Sequence, residues 1–87
     1  MNRFEHRSLA WSLVDLAAPH LTPDARLWLY AEIGAGEPES ATLTLLDCCM
    51  RSGVNLTPAV SMAVRDWLYG YTGTVVAARF QPYIPRI

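Results

Sequence analysis

The chain has 87 residues, a formal net charge of −1 and 52% hydrophobic residues. That length sets a single domain over residues 1–87 with a limited core, and the near-neutral charge excludes an overall electrostatic pull toward nucleic acid or an anionic membrane. No stretch approaches the roughly 18–20 apolar residues of a membrane span, so a cytoplasmic protein with no membrane contact is expected. A domain this small has little interior for so many apolar side chains. The excess predicts an apolar patch covered by a partner protein or by a second copy, most simply a homo-oligomer. All seven basic residues are arginine. Lysine codons are A-rich and arginine codons mostly G/C-rich, so the expected source is a high-GC bacterium such as an actinobacterium, or one of its phages.

Asn2 followed by Glu5 is a capping pair that opens a first helix over about 3–18. At 100° per residue, Leu9, Leu13, Leu16 and Ala17 fall on one side and Glu5, Ser8, Ser12 and Asp15 opposite. Those polar interruptions suit an amphipathic helix better than a signal peptide. Pro19 ends the helix. Thr22 then supplies an N-cap oxygen and Pro23 the first helical position, where a missing N–H is harmless. The second helix, 23–33, is expected to stop at Gly34. Leu27, Trp28, Leu29, Tyr30, Ala31 and Ile33 spread around its whole circumference, the pattern of a helix that is central in a bundle or sandwiched in an interface.

GAGEPES, residues 34–40, has turn composition, with Ser40 as the cap of a third helix over 41–52. Leu45, Leu46, Cys49 and Met50 form its apolar side, Thr44, Asp47 and Arg51 its polar side, and Asp47–Arg51 is a favourable i,i+4 pair. Gly53 is expected as a left-handed stop, with Val54 lying against Cys49. Thr57 and Pro58 repeat the earlier cap and open a fourth helix over 58–69, with Val60, Ala63, Val64, Trp67 and Tyr71 in one stripe. Thr74 caps a short fifth helix at 75–80, or Val75-Val76 extends. Pro82 and Pro85 make the tail extended. The fold class is therefore all-α: a small four- or five-helix bundle built from two helical hairpins, with Phe80, Tyr83, Ile84 and Ile87 folding back on it.

Two short frames recur. LTP stands at 21–23 and 56–58, and WLY at 28–30 and 67–69. Between the copies the Pro-to-Trp spacing grows by four residues, about one helical turn. Three successive residues span ~200° of a helix, so each WLY marks packing of a hairpin's second helix and not a compact binding motif.

Chemical signatures are sparse. Cys48 and Cys49 point ~100° apart on a helix and cannot bridge each other. Together with His6 and His20 they match no zinc spacing. A reactive thiol needs a cationic neighbour, whereas Cys48 follows Asp47. His20 lies in a loop with no nucleophile or orienting acid supplied by a motif. No catalytic residue, metal, cofactor or small-molecule ligand is expected. The leading expectation is a non-catalytic protein acting through protein–protein interaction or self-association in a regulatory or adaptor role. Its expected contact residues are Trp28, Tyr30, Tyr69, Tyr71, Phe80 and Tyr83, because Trp and Tyr dominate interface hot spots.

GVNLTPAVSMAVRDWL, residues 53–68, resembles the turn and second helix of ribbon-helix-helix repressors and antitoxins. The resemblance implies a DNA-binding regulator, and a helix-turn-helix pair is a related alternative. Arg3 and Arg7 near one end, with Arg79 and Arg86 near the other, would have to cluster to make its phosphate contacts. The basic strand that this family places ahead of the helix pair corresponds here to GAGEPES, which has two carboxylates and no arginine.

Overall fold

Among the described residues, four of the five α-helices begin where a side chain offers an acceptor for orphan N–H groups. In the computed structural model, which describes residues 2–87, the order is α1 (Arg3–Ala17), α2 (Pro23–Gly34), α3 (Pro38–Arg51), α4 (Pro58–Tyr69) and α5 (Val75–Phe80). Short 3-10 segments, Ala18–His20 and Gln81–Arg86, follow α1 and α5. Asn2 Oδ1 accepts from the Glu5 N–H at 2.8 Å. Thr22 Oγ1 accepts from the Ala25 N–H at 3.1 Å, and Thr57 Oγ1 from the Val60 N–H at 3.2 Å. The two threonines also share a backbone conformation, φ −68°, ψ 156° against φ −65°, ψ 157°. The LTP repeat is one capping structure used twice.

Two boundaries differ from expectation, both for local reasons. α3 starts at Pro38 and not at 41, so Ser40 lies inside the first turn and caps nothing. Proline is preorganised for the first helical position, and the buried Thr42 hydroxyl donates back to the Pro38 carbonyl at 2.7 Å. α2 includes Gly34 and stops at Gly36, φ +89°. There the Gly36 N–H donates to the Ile33 carbonyl at 3.1 Å and the Glu37 N–H to Glu32 at 3.0 Å, the bond pair of a Schellman end.

The same pair closes α3: Gly53 donates to Met50 at 3.3 Å and Val54 to Cys49 at 2.9 Å. Gly53 has φ +71°, and a Cβ built on it would meet nothing within 4 Å. Gly53→Ala should therefore lose about 1–2 kcal/mol in urea unfolding from left-handed backbone strain alone, with Gly53→Asn losing less.

α1 and α3 form the central pair; α2 lies against both, α4 against α1, and α5 against α4. The main packing partner of α3 is thus α1 and not its sequence neighbour α4, so the second helix pair does not close as a simple hairpin. Leu13 and Val14 of α1, Ile33 of α2, Leu45, Leu46 and Cys49 of α3, Val64 and Trp67 of α4, and Phe80 of α5 make one core. Removing such side chains from water is the main favourable term in folding.

The tail is not extended. Residues Gln81–Arg86 wind into a 3-10 helix, because Ile87 is buried and Tyr83 packs on the core, and three arginines pin the segment. Arg79 pairs with Asp47 at 3.4 Å, Arg86 donates to the Met50 carbonyl at 3.1 Å, and Arg65 Nε donates to the Ile87 carbonyl at 3.1 Å. Asp47 also holds Arg51 at 3.2 Å, the expected i,i+4 pair. Arginines gathered at the last turn of α3 suit the negative end of its dipole.

Candidate functional site

α2 has an inner and an outer face, and both are apolar. Leu29 and Ile33, one turn apart, are buried against the central pair. Leu27 and Ala31 stand two residues either side of Leu29, which turns them about 160° away from it. Leu27 is 65% and Trp28 77% exposed. Ala31 and Ala35 are also exposed and continue the same strip. Shallow hollows flank Trp28 along it, with Asp24 at one end and Glu32 and Glu37 at the other. The expectation that α2 is central in the bundle is not met within one copy of the chain, since its outer half faces solvent.

The six expected contact residues divide. Trp28 and Tyr69, at 77% and 80%, are the most exposed of them. Tyr30 is only partly open and stacks on Trp11 of α1, with ring centroids 5.6 Å apart and planes at 35°. Tyr71 packs on Trp67 at 5.0 Å and leans on the core, as does Tyr83. Phe80 is fully buried and is corrected from a contact residue to a core anchor: the folded-back tail uses it to close the bundle. The two WLY frames differ correspondingly. In α4 the Trp is inside and the Tyr outside; in α2 the Trp is outside.

Leu27, Phe4 and Met62 are further large exposed apolar residues, outside the six expected contacts. For Phe4 and Met62 the signal is available in the sequence, because each lies off the apolar stripe of its own helix at 100° per residue; α2 is apolar all round and offers no stripe against which to read Leu27. Phe4 and Met62 both line a groove of ≈ 440 Å³ between α1 and α4, together with Glu5 and Asp66. Tyr69 lies in a third hollow, with Ile84, Ala77 and Arg65.

The arginines do not cluster as the DNA-binding alternative requires. Arg3 and Arg7 line a hollow with Gly36 and Pro38, at the start of α3. Arg79 and Arg86 are engaged at its other end, by Asp47 and Met50. Pro38 and Met50 are separated by about 18 Å of helix. Ahead of α3, residues 35–37 form a tight turn and not a strand.

His20 is exposed on the turn after α1, and Cys48 is half-buried beside the core. Cys49 is buried; burial, and secondarily the neighbouring Cys48, pushes its thiol up to about 11. A thiol whose folded value exceeds its unfolded value stabilises the folded state only while it stays protonated. Stability should thus be complete below about pH 9 and fall from there toward pH 11. Denaturation curves against pH check this, with Cys49→Ala flattening that window.

Among the described residues no helix is long and apolar enough to cross a membrane. No protein-family model, curated protein or solved structure matches the chain.

Proposed function

We propose that this is a small non-catalytic interaction protein that works by docking another protein, or a second copy of itself, on the outer face of α2. The reading includes a regulatory or adaptor role in the cytoplasm, and a basic set made only of arginine supports a high-GC bacterium or its phage as the source. The observation that supports it is a helix whose solvent side carries Leu27, Trp28 and Ala31 while its inner side already fills the core. Exposed large apolar residues in a continuous strip mark interaction sites, and Trp is the commonest hot-spot type. Tyr69 and the α1–α4 groove are smaller surfaces of the same kind.

Site-specific photo-crosslinking in the native host tests this. A benzoylphenylalanine at position 28 should give a discrete protein adduct, lost when Leu27→Gln and Ala31→Gln are added. The same probe at position 15, on the polar side of α1, should give none. Equal labelling from both positions, or none from 28, contradicts the proposal.

A further inference from the structure

The charge around the α2 strip selects the kind of partner. We propose that this face receives a basic amphipathic helix of another protein, one whose apolar ridge is edged with Arg or Lys. The inference rests on the docking function proposed above and adds the chemistry of the occupant. Ala31 follows Leu27 by one helical turn, and Ala35 follows Ala31 by another. The exposed strip from Leu27 to Ala35 thus runs about 12 Å along the helix, the reach of two turns of a second helix laid against it.

Three carboxylates edge that strip: Asp24, Glu32 and Glu37. Among the described residues none of the three is in an ion pair, since every ion pair there involves Asp47; Arg3 lies beside Gly36, next to Glu37, so Asp24 and Glu32 carry most of the unbalanced charge. Arg26, the only basic residue of α2, lies about 160° around the helix from Trp28 and is partly buried on the inner side. A second copy is a poor occupant. Two α2 strips packed antiparallel about a two-fold axis would set Asp24 of each copy toward Glu32 and Glu37 of the other, and like charges facing each other suppress association. A basic helix removes that repulsion and gains at Trp28 as well, because an indole face is the best side-chain acceptor for a cation.

The test is selection from a displayed library of 18-residue helices. Leu and Ala are fixed at i, i+3, i+4 and i+7, and the flanking positions are drawn equally from Arg, Lys, Asp, Glu, Ser and Gln. Binders are selected on the wild-type protein and depleted on Leu27→Gln/Trp28→Gln. The survivors should be enriched in Arg and Lys over Asp and Glu, and should weaken with added salt. They should lose roughly tenfold in affinity for Asp24→Asn/Glu32→Gln/Glu37→Gln. Survivors that are neutral or acidic at the flanks overturn the charge inference and leave the docking face standing. Recovery of no binder that depends on Leu27 and Trp28 overturns the docking face itself. Concentration-dependent protection of Trp28 in the protein alone shows a second copy as the occupant and also overturns the inference.

Discussion

Phe80→Ala should remove about 3–5 kcal/mol of stability. Total stability for a chain of this size is only about 4–13 kcal/mol, so the loss is a large share of it. The effect is expected to exceed that of an ordinary truncation, because α5 has six residues, far below the length at which a helix stands alone. Its place depends on Phe80, which is fully buried, on the buried Ile87, and on the contacts of Arg79, Arg86 and Arg65 with Asp47, Met50 and Ile87. Urea unfolding should show the lowered midpoint, and amide exchange should show residues 75–87 losing protection first. Val75, on the same short helix, is 85% exposed; Val75→Ala should stay within about 0.5 kcal/mol of the parent. Equal effects from Phe80→Ala and Val75→Ala would mean that the tail does not close the bundle.

The second large effect is on binding and not on folding. Leu27→Gln/Trp28→Gln should abolish partner binding, at least about 100-fold, since Trp28 is of a hot-spot type worth about 2 kcal/mol or more and Leu27 adds the burial of an apolar side chain, about 1.5 kcal/mol or more. Stability should change by no more than about 0.5 kcal/mol, because both side chains face solvent and Gln is a good helix former. Glutamine also leaves the charge of the face untouched, so the result reports on the apolar strip alone. Titration of a selected helix, read beside a melting curve, checks both halves. A comparable loss of stability would place Leu27 and Trp28 in the core instead of on its outside.

Much of the fold was legible because its signals are local. The Thr-Pro pairs named the starts of α2 and α4, and Gly53 with Val54 named the end of α3, since a cap is decided by a few adjacent residues. The same locality explains the misses. Gly34 and Gly36 both suit a helix stop, and the choice between them depends on which leaves Ile33 in the core, a tertiary matter. Ser40 is a better cap than Glu37 by residue type, but Pro38 fits the first turn and its carbonyl takes the Thr42 hydroxyl. The tail read as extended because two prolines bar a regular α-helix, whereas a 3-10 turn accommodates them once Phe80 and Ile87 are anchored.

The candidate surface was half legible. A helix apolar on all sides announces an unusual environment, and α2 has that pattern. Which half stays outside depends on how α1 and α3 meet, and no pattern within α2 decides it. Phe80 carries two expectations, docking on a partner and folding back on the bundle, because an aromatic in a tail has the same composition in either role; its burial selects the second. Tyr30 was similarly ambiguous until Trp11, nineteen positions earlier, came to lie against it.

The central claim is that Trp28 stands outside the folded protein while Trp67 is sealed within it. The chain has three tryptophans, so fluorine NMR of 5-fluorotryptophan-labelled protein reads each directly, with Trp28→Phe assigning its resonance. In the presence of a soluble gadolinium chelate, the Trp28 signal should broaden most, Trp11 less and Trp67 least, and a bound basic helix should restore the Trp28 line. A Trp28 resonance as protected as that of Trp67 in the free monomer would contradict the account.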